Sequence, residues 1–332
     1  MATLPTEIRR LLDQVRRDVR RHALWQPGQT VLLACSGGRD SMAALAILAE
    51  LRPSLGHNLT IAHVDHGLQP NHAATLALVQ AAAQDRGLPF SHRALALKRG
   101  PDLEERARTG RYRALAAMGR DRAAAVVATA HHADDQAETV LMRLARGAGA
   151  DALCGVRRRR EDGVVRPFLA LTRAQLAVAA EHFAVDWLED PSNQHVAATR
   201  NRLRHSVLPA LAAAIPGAAA GLARSAALAA AHEGALAAWI DRALADHLAL
   251  DAPSGTATVA QGALPREPSA RAAALQRICR RLGVTQPSQR GVDQWLALGS
   301  KGTVALRDLT VTGDGLCWRF FVRNVAREGP AD

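Results

Sequence analysis

The chain has 332 residues, 48% hydrophobic and 22% charged, which excludes a disordered or collagen-like polymer and leaves room for two domains with ample cores. A formal charge of +11 favours a polyanionic partner such as nucleic acid, although only Lys98 and Lys301 of the 42 basic residues are lysines, a bias that GC-rich coding also produces. Cys35, Cys154, Cys279 and Cys317 form no CxxC pair and no apolar run approaches the roughly 20 residues of a membrane span, so the expectation is a soluble cytoplasmic protein without zinc knuckle, redox dithiol or membrane association.

In chain order, residues 1–25 form a charged amphipathic stretch without the apolar core of a signal peptide. Gln29 to Cys35 is a short apolar run that ends in a glycine turn, which predicts a buried strand, and a helix follows over Ser41–Leu51. A second strand is predicted at Thr60–Val64, then a helix over Asn71–Arg86 with Asn71 as N-cap, and a third strand at Pro89–Leu95. Leu103–Met118 reads as a charged helix, Ala125–Thr129 as a fourth strand, and Asp134–Arg146 as a helix whose acidic opening suits its positive end. Beyond Gly147 come a basic run at Arg157–Arg160, an extended VVRPFL, a helix over Thr172–His182, the polar turn Glu189–Asn193 and the basic helix TRNRLRHSVLPAL. Ile215-Pro216-Gly217 marks a boundary, so residues 1–215 and 216–332 are the expected domains. The second is read as an alanine-rich helix to about Leu250, a helix over Arg271–Leu282, and strands in TVALRDLTVTGDGLCWRFFV turning at Arg307-Asp308 and Gly313-Asp314-Gly315.

Alternating strands and helices imply a doubly wound parallel α/β sheet, whose ligand crevice lies beyond the carboxyl ends of the strands. SGGRDS follows the first strand, HVDHGLQ the second and HHADDQAET the fourth, so distant polar groups converge there. Ser36, Gly37, Gly38, Arg39, Asp40 and Ser41 sit where glycines let backbone approach phosphate and a helix amino end attracts negative charge, although a glycine pair after a strand is also an ordinary tight turn. Asp40 inside such a site implies a bound magnesium ion or a proton, or else a helix cap. Asp134, Asp135 and Glu138 share one helix face, which makes an acidic cluster or a first turn that complements the dipole. The adjacent His131 and His132 point to different faces, which disfavours a chelating pair. His63, Asp65 and His66 border the crevice, with His63 read equally as nucleotide contact or satisfied buried histidine.

SGGRDS resembles the signature of the PP-loop ATP pyrophosphatases. With HVDHGLQP, HHADDQAETVLMRLARGAG, RPFLALTR, WLEDPSN and TRNRLRHSVLPAL, the stretch from about residue 30 to 212 is similar to the tRNA(Ile)-lysidine synthase family. The resemblance implies a PP-loop α/β fold with a smaller C-terminal α+β domain. It also implies ligation of L-lysine to C2 of the wobble cytidine in tRNA(Ile) with a CAU anticodon. ATP would activate the C2 oxygen with release of pyrophosphate, and the lysine amine would displace AMP, converting an AUG reader into an AUA reader. By the same resemblance Ser36, Gly37, Gly38, Arg39, Asp40, Ser41 and His63 bind ATP, with Asp40 on Mg2+; Asp40, Asp135 and His131 are catalytic. Asp135, Glu138, Arg200 and Arg202 hold lysine, while Arg108, Arg111, Arg157, Arg158 and Arg204 meet tRNA. A homodimer is compatible with this reading, and the C-terminal domain is expected to position tRNA. Arg39 occupies the variable position of the pattern.

Three rivals stand beside it. A tRNA thiolase shares SGGxDS but calls for catalytic or cluster-binding cysteines, a GMP or NAD synthetase would lack WLEDPSN and TRNRLRHSVLP, and a silent RNA-binding protein has no use for carboxylates that repel RNA.

Overall fold

The computed structural model describes residues 4–65, 67, 72–97, 100, 102–147, 149–188, 199–251 and 254–323. The expected N-cap Asn71, His66 and the turn at Glu189–Asn193 lie outside the described residues. Two compact units emerge, Met1–Ala230 and Ala231–Asp332.

The first unit runs α1 (Thr6–Arg21), β1 (Thr30–Ala34), α2 (Arg39–Leu55), β2 (Asn58–Asp65), α3 (His72–Gln84), β3 (Phe90–Ala94), α4 (Leu103–Asp121), β4 (Val126–Ala128), α5 (Ala133–Leu144), β5 (Val164–Val165), α6 (Arg173–His182), α7 (Thr199–Arg202) and α8 (Leu208–Ala214). Its five strands are parallel in the order β3-β2-β1-β4-β5, as the strand and helix alternation predicts. Period two along β1 serves two cores at once: Val31 and Leu33 join one with α1, α2 and α6, whereas Leu32 joins another with Leu115 and Met118 of α4. Helix α1 follows helical spacing instead, burying Ile8, Leu11, Leu12, Val15 and Val19 on one stripe. Each such aliphatic side chain contributes about 1.5–3 kcal/mol when fully buried, which fixes the helix layers on the sheet.

Helix α9 (Ala218–Leu244) contains the division between units, which falls C-terminal to the 215/216 boundary expected from the Ile-Pro-Gly break. The second unit adds β6 (Leu248–Asp251), β7 (Thr256–Ala260), α10 (Pro268–Arg281), α11 (Gln289–Ala297), β8 (Lys301–Ala305), β9 (Leu309–Asp314) and β10 (Cys317–Val322). Its antiparallel sheet has the order β6-β7-β10-β9-β8. Trp295 and Trp318 meet edge to face at 5.7 Å in its core, with Arg271 over both rings. The alanine-rich helix stops at Leu244, short of Leu250, because the chain turns into β6. Among the described residues no single helix is long and apolar enough to cross a membrane.

Candidate active site

A cavity of about 540 Å³ opens beyond the carboxyl ends of β1, β2 and β4. Its first wall is the loop from β1 into α2. Gly37 adopts a φ of +83°, and a Cβ there would collide with the Thr75 methyl of α3, so both conformation and space demand glycine. The Ser41 hydroxyl donates to the Gly38 carbonyl at 2.8 Å and accepts from the Ser36 N–H at 3.1 Å, which locks the loop around the start of α2. Ser36 and Ser41 hydroxyls lie 3.2 Å apart.

Asp40 stands at the centre of a charge cluster. Its carboxylate is 3.4 Å from His132 Nε2, 3.9 Å from Arg39 Nε and 3.8 Å from Arg173 Nε. Its Oδ1 atom is buried without a hydrogen bond. That donor suits Mg2+, which takes one or two carboxylates together with substrate phosphates and waters; among the described residues no group of three or more metal-ligating side chains forms an all-protein cage.

His132 is the N-cap of α5 and is buried, with Asp134 at 3.5 Å from Nδ1 and Asp135 at 3.5 Å from Nε2. Burial alone would lower its pKa, but the carboxylates of Asp134, Asp40 and Asp135 raise it to about 9, so the ring is an imidazolium at neutral pH. His131 behaves oppositely. Burial, with Arg166, Arg200 and Arg111 nearby, outweighs Asp135 and lowers it to about 3; the neutral ring lines the cavity with Nδ1 2.8 Å from the Thr129 hydroxyl. Burial acts to raise Asp135, but the charges of His132 and Arg200 and the His132 backbone N–H, which donates to it at 3.0 Å, hold it below the usual carboxylate range.

Asp135 and Glu138 share one face of α5, as the spacing predicts, and Glu138 is only 1% exposed. Arg200 donates from Nε to Glu138 at 2.6 Å and from its terminal nitrogen to Asp135 at 2.8 Å. Arg204 donates to the same two acids, at 2.6 Å to Glu138 and 3.3 Å to Asp135. The acid pair expected to hold a substrate amine is thus bound by two guanidiniums of the chain itself.

Other expected residues fall elsewhere. Arg202 is exposed and bonds Thr199 at 3.3 Å, because two residues along a helix from Arg200 is the far side. Arg204, assigned to tRNA by the resemblance, sits on the acid pair; its four-residue spacing from Arg200 and the π turn at Leu203–Val207 bring it there. His63 is buried with Nδ1 2.9 Å from the Cys35 carbonyl, while its strand neighbours Ala62 and Val64 line the cavity. Strand alternation therefore makes it a support beneath the loop. Arg108 and Arg111 do line the cavity, each 5.5 Å from the Tyr112 ring centre. Arg158 instead forms a close ion pair with buried Asp18 of α1, and the Arg157 carbonyl accepts from Arg166, so the basic run is partly stitched into the fold.

His132, weighed in the sequence only as half of a chelating pair, and Arg173, the last residue of RPFLALTR, are site residues to which the sequence reading gives no role. Both had signals: His132 precedes an acidic helix start, and Arg173 follows the capping threonine Thr172.

Residues 5–211 match the PP-loop domain family ATP_bind_3. The chain is 36% identical over 307 residues to a tRNA(Ile)-lysidine synthase of Novosphingobium aromaticivorans, covering 89% of this chain and 90% of that protein. It is 39% and 41% identical to the tRNA(Ile)-lysidine synthases of Geobacter sulfurreducens and Ralstonia nicotianae over 78% and 74% of its own length, and spans only 56% and 53% of theirs. Among solved structures it is similar to U34-tRNA thiolase NcsA from Methanococcus maripaludis, with a TM-score of 0.56, 16% identity and coverage of 66% of this chain and 78% of that one, a likeness of fold alone.

Proposed function

The chain belongs to the tRNA(Ile)-lysidine synthase family of PP-loop proteins, and on that premise we propose that it joins L-lysine to C2 of the wobble cytidine of tRNA(Ile) bearing CAU, at the expense of ATP. One observation carries the reading: the SGGRDS loop and Asp135 line a single cavity together with Arg200 and Arg204, the two arginines that bind Asp135 and the buried Glu138, so a phosphate cradle and an acidic wall face one space. Of the cavity wall, Arg108 and Arg111 suit the phosphates of the anticodon arm.

Backbone N–H groups at the start of α2, with Ser36 and Ser41, suit the triphosphate. Mg2+ held by Asp40 Oδ1 and phosphate oxygens would supply charge neutralisation at the leaving group. Neutral His131 can exchange hydrogen bonds with a base or amine without carrying charge near neutral pH. Asp135 and Glu138 suit the lysine ammonium, provided that Arg200 or Arg204 yields a carboxylate oxygen to it.

Incorporation of labelled lysine into a tRNA(Ile) transcript with CAU, compared with one whose wobble cytidine is uridine, tests the proposal. Labelling of the first alone supports it. ATP cleavage to AMP without labelling of either would retain the PP-loop chemistry and move the nucleophile to another class, sulfur first.

A further inference from the structure

The cavity gathers the amino ends of three helices, α2 at Arg39, α5 at Ala133 and α6 at Arg173, whose N-caps are Gly38, His132 and Thr172. Each helix start carries positive partial charge, although part of its N–H groups are already taken: Ala133 donates to the Leu171 carbonyl and Gln175 to the Thr172 hydroxyl. Asp134 takes up one of these groups by accepting the Arg173 N–H at 2.8 Å, which ties the start of α6 to that of α5.

Two guanidiniums stand at this junction. Arg39 and Arg173 flank Asp40 at 3.9 and 3.8 Å, too far for a hydrogen bond, and both Nε atoms are buried with no hydrogen-bond partner among the described residues. His132, with a side chain 3% exposed, likewise leaves Nδ1 without a hydrogen bond. A single carboxylate therefore faces three cations, one of them shared with Asp134 and Asp135. The Nε donors of Arg39 and Arg173 lie beyond hydrogen-bond reach of Asp40, and a multivalent anion would offer an acceptor to both at once.

We propose that Arg39 and Arg173 form a two-sided clamp on the β- and γ-phosphates of ATP and hold the pyrophosphate as it leaves. The inference rests on the ATP-using reading above and adds the side chains that separate a triphosphate from a monophosphate. As the C2 oxygen bonds the α-phosphorus, the bond from that phosphorus to the β-bridging oxygen breaks and its electron pair stays on pyrophosphate. The charge that develops falls between two planar guanidiniums, and no proton has to reach the leaving group. Arg39 stands at the one unspecified position of SGGxDS, so its jaw of the clamp belongs to this chain and not to the loop pattern.

The test is calorimetric titration of the full chain with inorganic pyrophosphate and, separately, with AMP, each in magnesium. Arg39→Gln and Arg173→Gln are each expected to weaken pyrophosphate by about tenfold, the scale of one charge-assisted guanidinium contact, with AMP unchanged. Arg39→Lys and Arg173→Lys, which keep the charge and the fold, are expected to recover part of the loss. Unchanged pyrophosphate affinity in both glutamine variants, or an equal loss for AMP, would overturn the clamp and leave the ATP reading intact. A wild-type chain that binds neither ligand would overturn both.

Discussion

Arg204 donates from Nε to Glu138 Oε1 at 2.6 Å, and the carboxylate it holds is almost wholly buried. Arg200 binds the other oxygen, so Glu138 is structural as well as chemical. Glu138→Gln is therefore expected to lower stability by about 3 kcal/mol, since breaking a buried pair strands its partners, in addition to raising the KM for lysine. Urea unfolding beside lysine kinetics separates the two, and an unchanged unfolding midpoint would show that the arginines need no acid.

Gly37→Ala forces a side chain into a left-handed backbone and against Thr75. A loss of about 1–3 kcal/mol and of ATP binding is expected. Adding Thr75→Ser removes the obstructing methyl but not the backbone strain, so the double variant is expected to recover only part of each. Full recovery would mean that the turn tolerates any residue.

Of the two readings of His63, nucleotide contact and satisfied buried histidine, its bond to the Cys35 carbonyl beneath the loop favours the second. His63→Ala is expected to cost about 1–3 kcal/mol of stability, with pyrophosphate and AMP affinities held within a few-fold, because a buried carbonyl loses its partner while the cavity wall stays in place. Abolished nucleotide binding in a folded variant would restore the direct contact.

Burial raises Asp18 to about 6 against the pull of Arg158 and Arg21. Because the folded value exceeds the ordinary carboxylate value of 3.8, the stability tied to this group is complete below about 3.8 and is lost as pH rises through about 6, by up to about 3 kcal/mol. The difference in unfolding free energy between wild type and Asp18→Asn should follow that fall. Arg158→Ala is expected to be costly at pH 8 and mild at pH 5, where a protonated carboxyl needs no counter-charge. A flat difference across that range would refute the titration.

The parallel sheet and the phosphate loop were legible because each motif is contiguous and follows an apolar strand, so SGGRDS and ADDQAE carry their own geometry. His132 and Arg173 receive no role from the sequence because their meaning lies in a junction of three helix starts that no local window contains. Arg204 was misplaced for a related reason: a run of alternating arginines offers several faces, and only packing against α5 chooses Arg200 and Arg204 over Arg202. In the second unit β6 and β7 are four and five residues long, and β7 alternates only partly buried positions with buried Ala257 and Val259, too weak a period to distinguish from loop.

The order β3-β2-β1-β4-β5 puts the first strand of the chain in the middle of its sheet, with β4 (Val126–Ala128) and β5 (Val164–Val165) arriving from far downstream. During synthesis, the loop after β1 leaves the ribosome early but acquires its neighbours α5 and α6 only when residues 133–182 have followed. A nascent chain therefore completes the walls of this cavity late, after the residues of α5 and α6 have emerged, although its glycine loop is among the first segments made.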